Sequence, residues 1–260
     1  MGAIKNVAKR TVVFFKPLIE RVLEGEASLA RKWVSSVHRR LMAVQWGMGP
    51  QPSHFDHHID LFYQWLETRD PLWLERGVFG GLSLKGGDVL ELACGDGFNA
   101  RNFYSLKSSR VVACDIDPRA IKMAQRKNSC PNTQYILADI RTDIPEGIFD
   151  NVVWDAAIEH FNQEEIRTIL ENIRARLKQD GVLSGYTIVE RDSGEKSHHQ
   201  HEYEFKGKED LLSILSPHFT HVTVFETVYP ERHNLYFWAS DSILPFAPEW
   251  HGAISNREKG

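Results

Sequence analysis

The chain has 260 residues, 42% hydrophobic and 25% charged, with a net charge of −4, which is ordinary globular usage and enough for one large core or two small ones. Its three cysteines, Cys94, Cys114 and Cys130, are odd in number, and two fall on or beside apolar runs, so they read as reduced core residues and exclude a disulfide framework. The charge is unevenly spread: between Met1 and Ala43 there are nine Lys and Arg against three Glu, and the remainder is correspondingly acidic.

Such an arm suits an acidic partner, namely an anionic membrane surface, a phosphorylated substrate or the rest of the protein. Its longest uncharged run, 11–15, is too short to span a bilayer. Lys16-Pro17 argues against a cleavable leader, and Asn6 stands where myristoylation prefers Ser or Thr. The breaker cluster Gly47-Met48-Gly49-Pro50-Gln51-Pro52-Ser53 precedes an aromatic-rich helical stretch, 54–73, with Phe55, Phe62, Tyr63, Trp65 and Trp73. Gly80-Gly81 and Gly86-Gly87 punctuate the entry to the first strand. These features predict a helical arm and cap over 1–76, a core over 77–241 and a tail over 242–260.

The core opens on Val89-Leu90 followed by Glu91-Leu92-Ala93-Cys94-Gly95-Asp96-Gly97, a carboxylate and a glycine turn at the end of a buried strand. Gly95 through Ala100 also fits the dinucleotide fingerprint, but Glu91 before the turn would repel a pyrophosphate. S-adenosylmethionine reverses that electrostatic argument, because its ammonium and sulfonium favour an acidic wall. A second strand, 110–114, ends in Asp115, eighteen residues past Gly97 and suited to a ribose diol. A third, 135–138, is followed by Asp139-Ile140. A fourth, 149–154, is followed by Asp155-Ala156-Ala157-Ile158-Glu159-His160-Phe161.

Alternation then continues with helix 118–127 opened by Asp117-Pro118, helix 163–177, a turn at 178–181, strand 182–189, helix 208–215, strand 221–228 and strand 235–239. The expected fold is therefore α/β: a Rossmann-like, seven-stranded, mostly parallel sheet with helices on both faces, a terminal antiparallel hairpin and an N-terminal helical cap.

The ordered acids and glycines resemble the class I S-adenosylmethionine-dependent methyltransferases, over roughly Val78 to Ser240, with Ala93 replacing the first glycine of the family's E/D-x-G-x-G-x-G. The resemblance implies S-adenosylmethionine as cofactor and S-adenosylhomocysteine as product. It puts Glu91, Ala93, Gly95 and Gly97 along the methionine part, Asp115 and Ile116 at the ribose, and Asp139 and Ile140 at the adenine. Asp155 and the cap residue Tyr63 complete the cofactor contacts.

Methyl transfer displaces an excellent leaving group, so the protein mainly aligns the acceptor and removes its proton. His160 is the expected base, with Glu159 or another acid orienting it. Glu190, His201 and Glu202, in the polar insertion after the fifth strand, compete for the role. His198, His199 and His201 match no structural zinc spacing, so no resident metal is expected; Mg²⁺ held by Asp155 with Glu190 or Glu202 is the alternative.

A nucleic-acid acceptor is disfavoured, since Asp155-Ala156-Ala157-Ile158 is not the Asp/Asn-Pro-Pro-aromatic that stacks a flipped base. The expected function is O-methylation of a small molecule, sugar or glycan intermediate, with N-methylation and a cofactor-binding module without catalysis as rivals. The expected location is cytoplasmic, with peripheral contact to an anionic inner-membrane surface through the arm. The sequence leaves the oligomeric state open.

Overall fold

The computed structural model describes residues 72–242 apart from 85, 192, 193, 195, 230 and 231, together with scattered residues between 18 and 44. The chain divides into two compact units, Met1–Trp73 and Leu74–Gly260. In the first, every described residue is helical, and Leu18, Ile19, Val22, Leu23, Leu29, Trp33, Val34 and Val37 are exposed. No helix among the described residues is long and apolar enough to cross a membrane. Tyr63, the stretch 54–71 and the tail beyond 242 lie outside the described residues.

The second unit is a seven-stranded sheet in the order β3-β2-β1-β4-β5-β7-β6. Its strands are β1 (Asp88–Leu92), β2 (Arg110–Asp115), β3 (Thr133–Leu137), β4 (Phe149–Asp155), β5 (Leu177–Ile188), β6 (His221–Tyr229) and β7 (Arg232–Ser240). The first five run parallel, and β7 pairs antiparallel with both β5 and β6. β1 and β4 are buried along nearly their whole length, including the polar Glu91, Asn151 and Asp155. Strand order reverses between β1 and β4, which leaves the crevice for a ligand at their carboxyl ends.

The helices are α1 (Leu72–Leu82), α2 (Pro118–Lys127), α3 (Gln163–Arg176) and α4 (Lys208–Leu215). Asp117 caps α2 by accepting the Arg119 amide at 2.8 Å, and Pro118 fills the first turn, where its missing N–H costs nothing. Asn162 and Glu165 form a capping box on α3, whose Ile166, Ile169, Leu170 and Ile173 bury one face at helical spacing.

Two sequence expectations fail here. Gly80-Gly81 does not break the chain but lies inside α1. A Cβ at Gly80 would stand 2.7 Å from the Tyr104 hydroxyl, and one at Gly77 would overlap the Phe103 ring, so Gly80 and Gly77 permit close packing, while a Cβ at Gly81 would meet open space. Residues 178–181 are not a turn after the helix but the start of β5, which carries an irregular register against β4 between Phe149 and Asn151. The hairpin connection is also tighter than expected, since Tyr229 pairs directly with Arg232.

Glu75 fastens α1 to the hairpin, accepting from Thr227 Oγ1 at 3.0 Å, from the Tyr236 hydroxyl at 2.7 Å and from the Tyr229 hydroxyl. Phe79 sets its ring edge-on to Phe225 and Tyr236, while Phe225 stacks on Trp238. At the sheet centre a Cβ on Gly185 would collide with the Trp154 carbonyl oxygen and the Phe237 ring. Gly185→Ala is therefore expected to cost about 3 kcal/mol in urea unfolding, the upper range for overpacking; a loss under about 0.5 kcal/mol would show that the two strands part easily.

Candidate active site

The carboxyl ends of β1, β2, β3 and β4 carry the acidic stations in one row. After Leu92 the backbone turns through three left-handed residues, Ala93 (φ 53), Gly95 (φ 54) and Gly97 (φ 75). Glycine meets that conformation freely, whereas alanine at Ala93 is strained by its own Cβ. Its methyl packs against the main core cluster, which holds it there. Ala93→Gly is expected to stabilise the protein by about 0.5–1 kcal/mol in urea unfolding. A net loss would show that the lost methyl contact outweighs the relieved strain. At Gly97 even a Cβ is excluded, because it would stand 2.6 Å from the Tyr135 ring.

Glu91, only 2% exposed, sits inside β1 beneath this turn. Asp115 ends β2 and organises the loop from the other side: Oδ2 accepts the Gly95 amide at 2.9 Å and Oδ1 the Asp117 amide at 2.8 Å. Burial raises its carboxyl above the ordinary range, opposed by the Asp117 and Gly95 amides. Ile116 is exposed beside it. Asp139 follows β3 and is held in a bidentate pair by Arg141, whose hydrogen bonds lower its carboxyl. Ile140, expected at the adenine face, is 4% exposed, and Ile116 and Leu137 are the exposed apolar residues at this edge. Asp155 ends β4 and accepts from Asn99 Nδ2 at 3.1 Å. Cys94 and Cys114 are buried thiols pushed upward chiefly by desolvation, Cys114 to about 12, which keeps them unreactive.

A second group forms where β4 and β5 end. Ile158–His160 is a single 3₁₀ turn, and the loop after β5 is drawn onto it: the Glu159 carbonyl accepts the Glu202 amide at 2.9 Å and the Tyr203 amide at 3.1 Å. His201 thereby lies against His160, their ring centroids 4.8 Å apart, with His198 5.4 Å from His201. The Glu159 carboxylate, 3% exposed, accepts from Thr187 Oγ1 at 2.9 Å.

Glu159 does not orient His160 as expected; the Gln200 carbonyl, 3.2 Å from His160 Nδ1, does. In this group the acid that pairs with a histidine is Glu204, 2.5 Å from His201 Nδ1 and also accepting the Ser197 amide and hydroxyl. Burial works to raise the Glu204 carboxyl, yet hydrogen bonds from Ser197 and His201 prevail and hold it below the ordinary range. Glu204 was missed by sequence reasoning; its only signal was the i,i+3 spacing from His201, which in an irregular loop fixes no contact. Glu190 and Glu202 carry exposed side chains outside this cluster.

Residues 89–181 match the family described as "Methyltransferase domain". Among solved structures the chain is similar to DhpI in complex with S-adenosylhomocysteine, 22% identical with a TM-score of 0.53 over 72% of this chain and 89% of that one. It is likewise similar to the N-methyltransferase NodS from Bradyrhizobium japonicum WM9, 20% identical with a TM-score of 0.53 over 68% and 91%. Among curated proteins it resembles the ribosomal protein L11 methyltransferases of Aliivibrio salmonicida, 24% identical over 59% of this chain and 54% of the relative, and of Vibrio cholerae, 27% identical over 62% and 56%. The chain thus spans about half the length of the curated relatives it matches. The match places a methyltransferase domain within residues 89–181, on the fold that these solved structures share.

Proposed function

We propose that the protein transfers the methyl group of S-adenosylmethionine to a hydroxyl oxygen of a small molecule, sugar or glycan intermediate. In this reading the cofactor lies along the acidic row, with its methionine part over Glu91, Ala93, Gly95 and Gly97, its ribose at Asp115 beside Ile116, and its adenine by Asp139. Asp155 and Tyr63 remain candidate contacts.

The observation that carries the choice of oxygen is the cluster of Glu159, His160 and His201 at the ends of β4 and β5. A hydroxyl must shed its proton as it is methylated, and such a cluster serves that need; a neutral amine attacks without it. His160 is the least buried of the three and the one assigned to meet the acceptor. Glu190 and Glu202, on the same loop, are placed for acceptor contacts. Nucleic acid is not the proposed acceptor, for want of a base-stacking motif after β4 and of a basic surface on the core.

Labelled-methyl transfer measured across nucleotide sugars, glycolipid intermediates and phenolic metabolites tests this, with ribosomal protein L11 and small amines as controls. Labelling of an amine or protein to the exclusion of every hydroxyl acceptor overturns the oxygen reading. The amine acceptor is the second reading, favoured by the N-methyltransferase name of one solved relative.

We also place the protein in the cytoplasm, with its basic arm resting on an anionic membrane. Exposed Leu18, Ile19, Val22, Leu29 and Trp33 on helical backbone, with Arg21, Lys32 and Arg40 nearby, support this. The intact protein should sediment with anionic vesicles at low salt and be released as salt screens the contacts. Equal sedimentation after deletion of residues 1–21 dismisses the arm.

A further inference from the structure

We propose that Glu159, His160 and His201 form a binding site for a divalent transition cation, with Zn²⁺ the best match. Each offers one ligand atom, and these atoms lie within 4.8 Å of one another. About 3.4 Å separates ligands around a tetrahedral ion with bonds near 2.1 Å, so a modest rotation of the two rings closes the set.

The partners of each residue favour ligation over a casual cluster. Both imidazoles have Nδ1 engaged, His160 with the Gln200 carbonyl and His201 with the Glu204 carboxylate. An engaged, proton-donating Nδ1 leaves Nε2 as a lone pair, and a carbonyl or carboxylate behind a histidine is the usual support of a metal ligand. Glu159 is buried with one oxygen held by Thr187, and no cation faces the other among the interactions described. His198, though adjacent, is disposed differently: its Nδ1 lies 3.3 Å from the Gln200 amide as acceptor, so its Nε2 bears the proton and does not ligate.

Two imidazoles and one carboxylate suit zinc and its neighbours and disfavour Mg²⁺, which demands oxygen. The alternative of Mg²⁺ on Asp155 with Glu190 or Glu202 is not among the groups of three or more potential ligands in the described residues.

The inference deepens the methyltransferase reading and rests on it for its purpose. A cation with three protein ligands keeps a position for the acceptor oxygen and lowers its pKa. The oxygen then forms its bond to the methyl carbon, the carbon–sulfur bond breaks with its electron pair staying on sulfur, and the hydroxyl proton leaves to water. His160 would thus activate the acceptor through the ion.

The test uses the full chain, freed of any histidine tag and stripped with a chelator. Zn²⁺ is titrated in competition with a chromophoric chelator, and S-adenosylhomocysteine binding is measured on the same samples. One tight equivalent of Zn²⁺ is expected. His160→Gln and His201→Gln should each weaken it at least 100-fold, and Glu204→Gln about 10- to 100-fold, with S-adenosylhomocysteine affinity unchanged. Glu159→Gln alters a buried group, so the half-exposed His160 carries the decision should that variant misfold. No stoichiometric Zn²⁺, or Zn²⁺ bound equally by wild type and His160→Gln, overturns the site. If S-adenosylhomocysteine binds while Zn²⁺ does not, the metal inference alone falls; if neither variant nor wild type binds S-adenosylhomocysteine, the methyltransferase reading falls instead.

Discussion

Replacing Asp115 by alanine is expected to weaken S-adenosylmethionine binding by about 2–4 kcal/mol, or about 30- to 700-fold. A ribose diol offers a carboxylate two charge-assisted hydrogen bonds of about 1.5–3 kcal/mol each, and incomplete additivity lowers their sum. The structure adds a second contribution, because the same carboxylate accepts the Gly95 amide and thereby holds the glycine turn. Asp115→Asn separates the two in part: its amide oxygen still accepts from Gly95, while the acceptor for the Asp117 amide and the charge that favours the diol are both gone. Calorimetry should therefore rank wild type above Asn and Asn above Ala. Binding of NAD but not S-adenosylhomocysteine by the wild type would sink the whole cofactor assignment.

The largest effect on turnover is expected at His160. His160→Ala should lower kcat by about 10²–10⁴ while cofactor affinity stays near wild type, since the role proposed for the residue is at the acceptor and not at the cofactor. His201→Ala and Glu202→Ala have to be measured beside it. Should His160→Ala keep full turnover while either of the others abolishes it, acceptor activation belongs to the loop after β5 and not to the end of β4. Glu202, exposed and outside the cluster, is expected to affect KM more than kcat.

What could be read from the sequence was what is local. Glu91, the glycines, Asp115, Asp139 and Asp155 each sit within a few residues of the strand that positions them, and strand alternation alone fixes their order along one edge. Helix α2 was equally plain, because its cap and its proline are adjacent. The His160–His201 pair was not. Those residues are forty-one positions apart, and their meeting depends on main-chain bonds from Glu202 and Tyr203 to the Glu159 carbonyl, which no side-chain pattern announces. Gly80 misled for a related reason: its meaning lies in Tyr104, on a separate element.

The loop after β5 is anchored at its two ends by the Val189–Phe205 bridge and the Glu190–Phe205 hydrogen bond, and in its second half by the Glu159 carbonyl. Between Glu190 and Lys196 only local turn bonds hold it among the described residues. The contacts that place His201 begin at Lys196, which donates to its carbonyl, and continue through Ser197, His198 and Glu204. On the proposed function, acceptor contacts near Glu190 would be free to change from lineage to lineage while the histidine held by Glu204 and the turn bonded to the loop through the Glu159 carbonyl stayed in place.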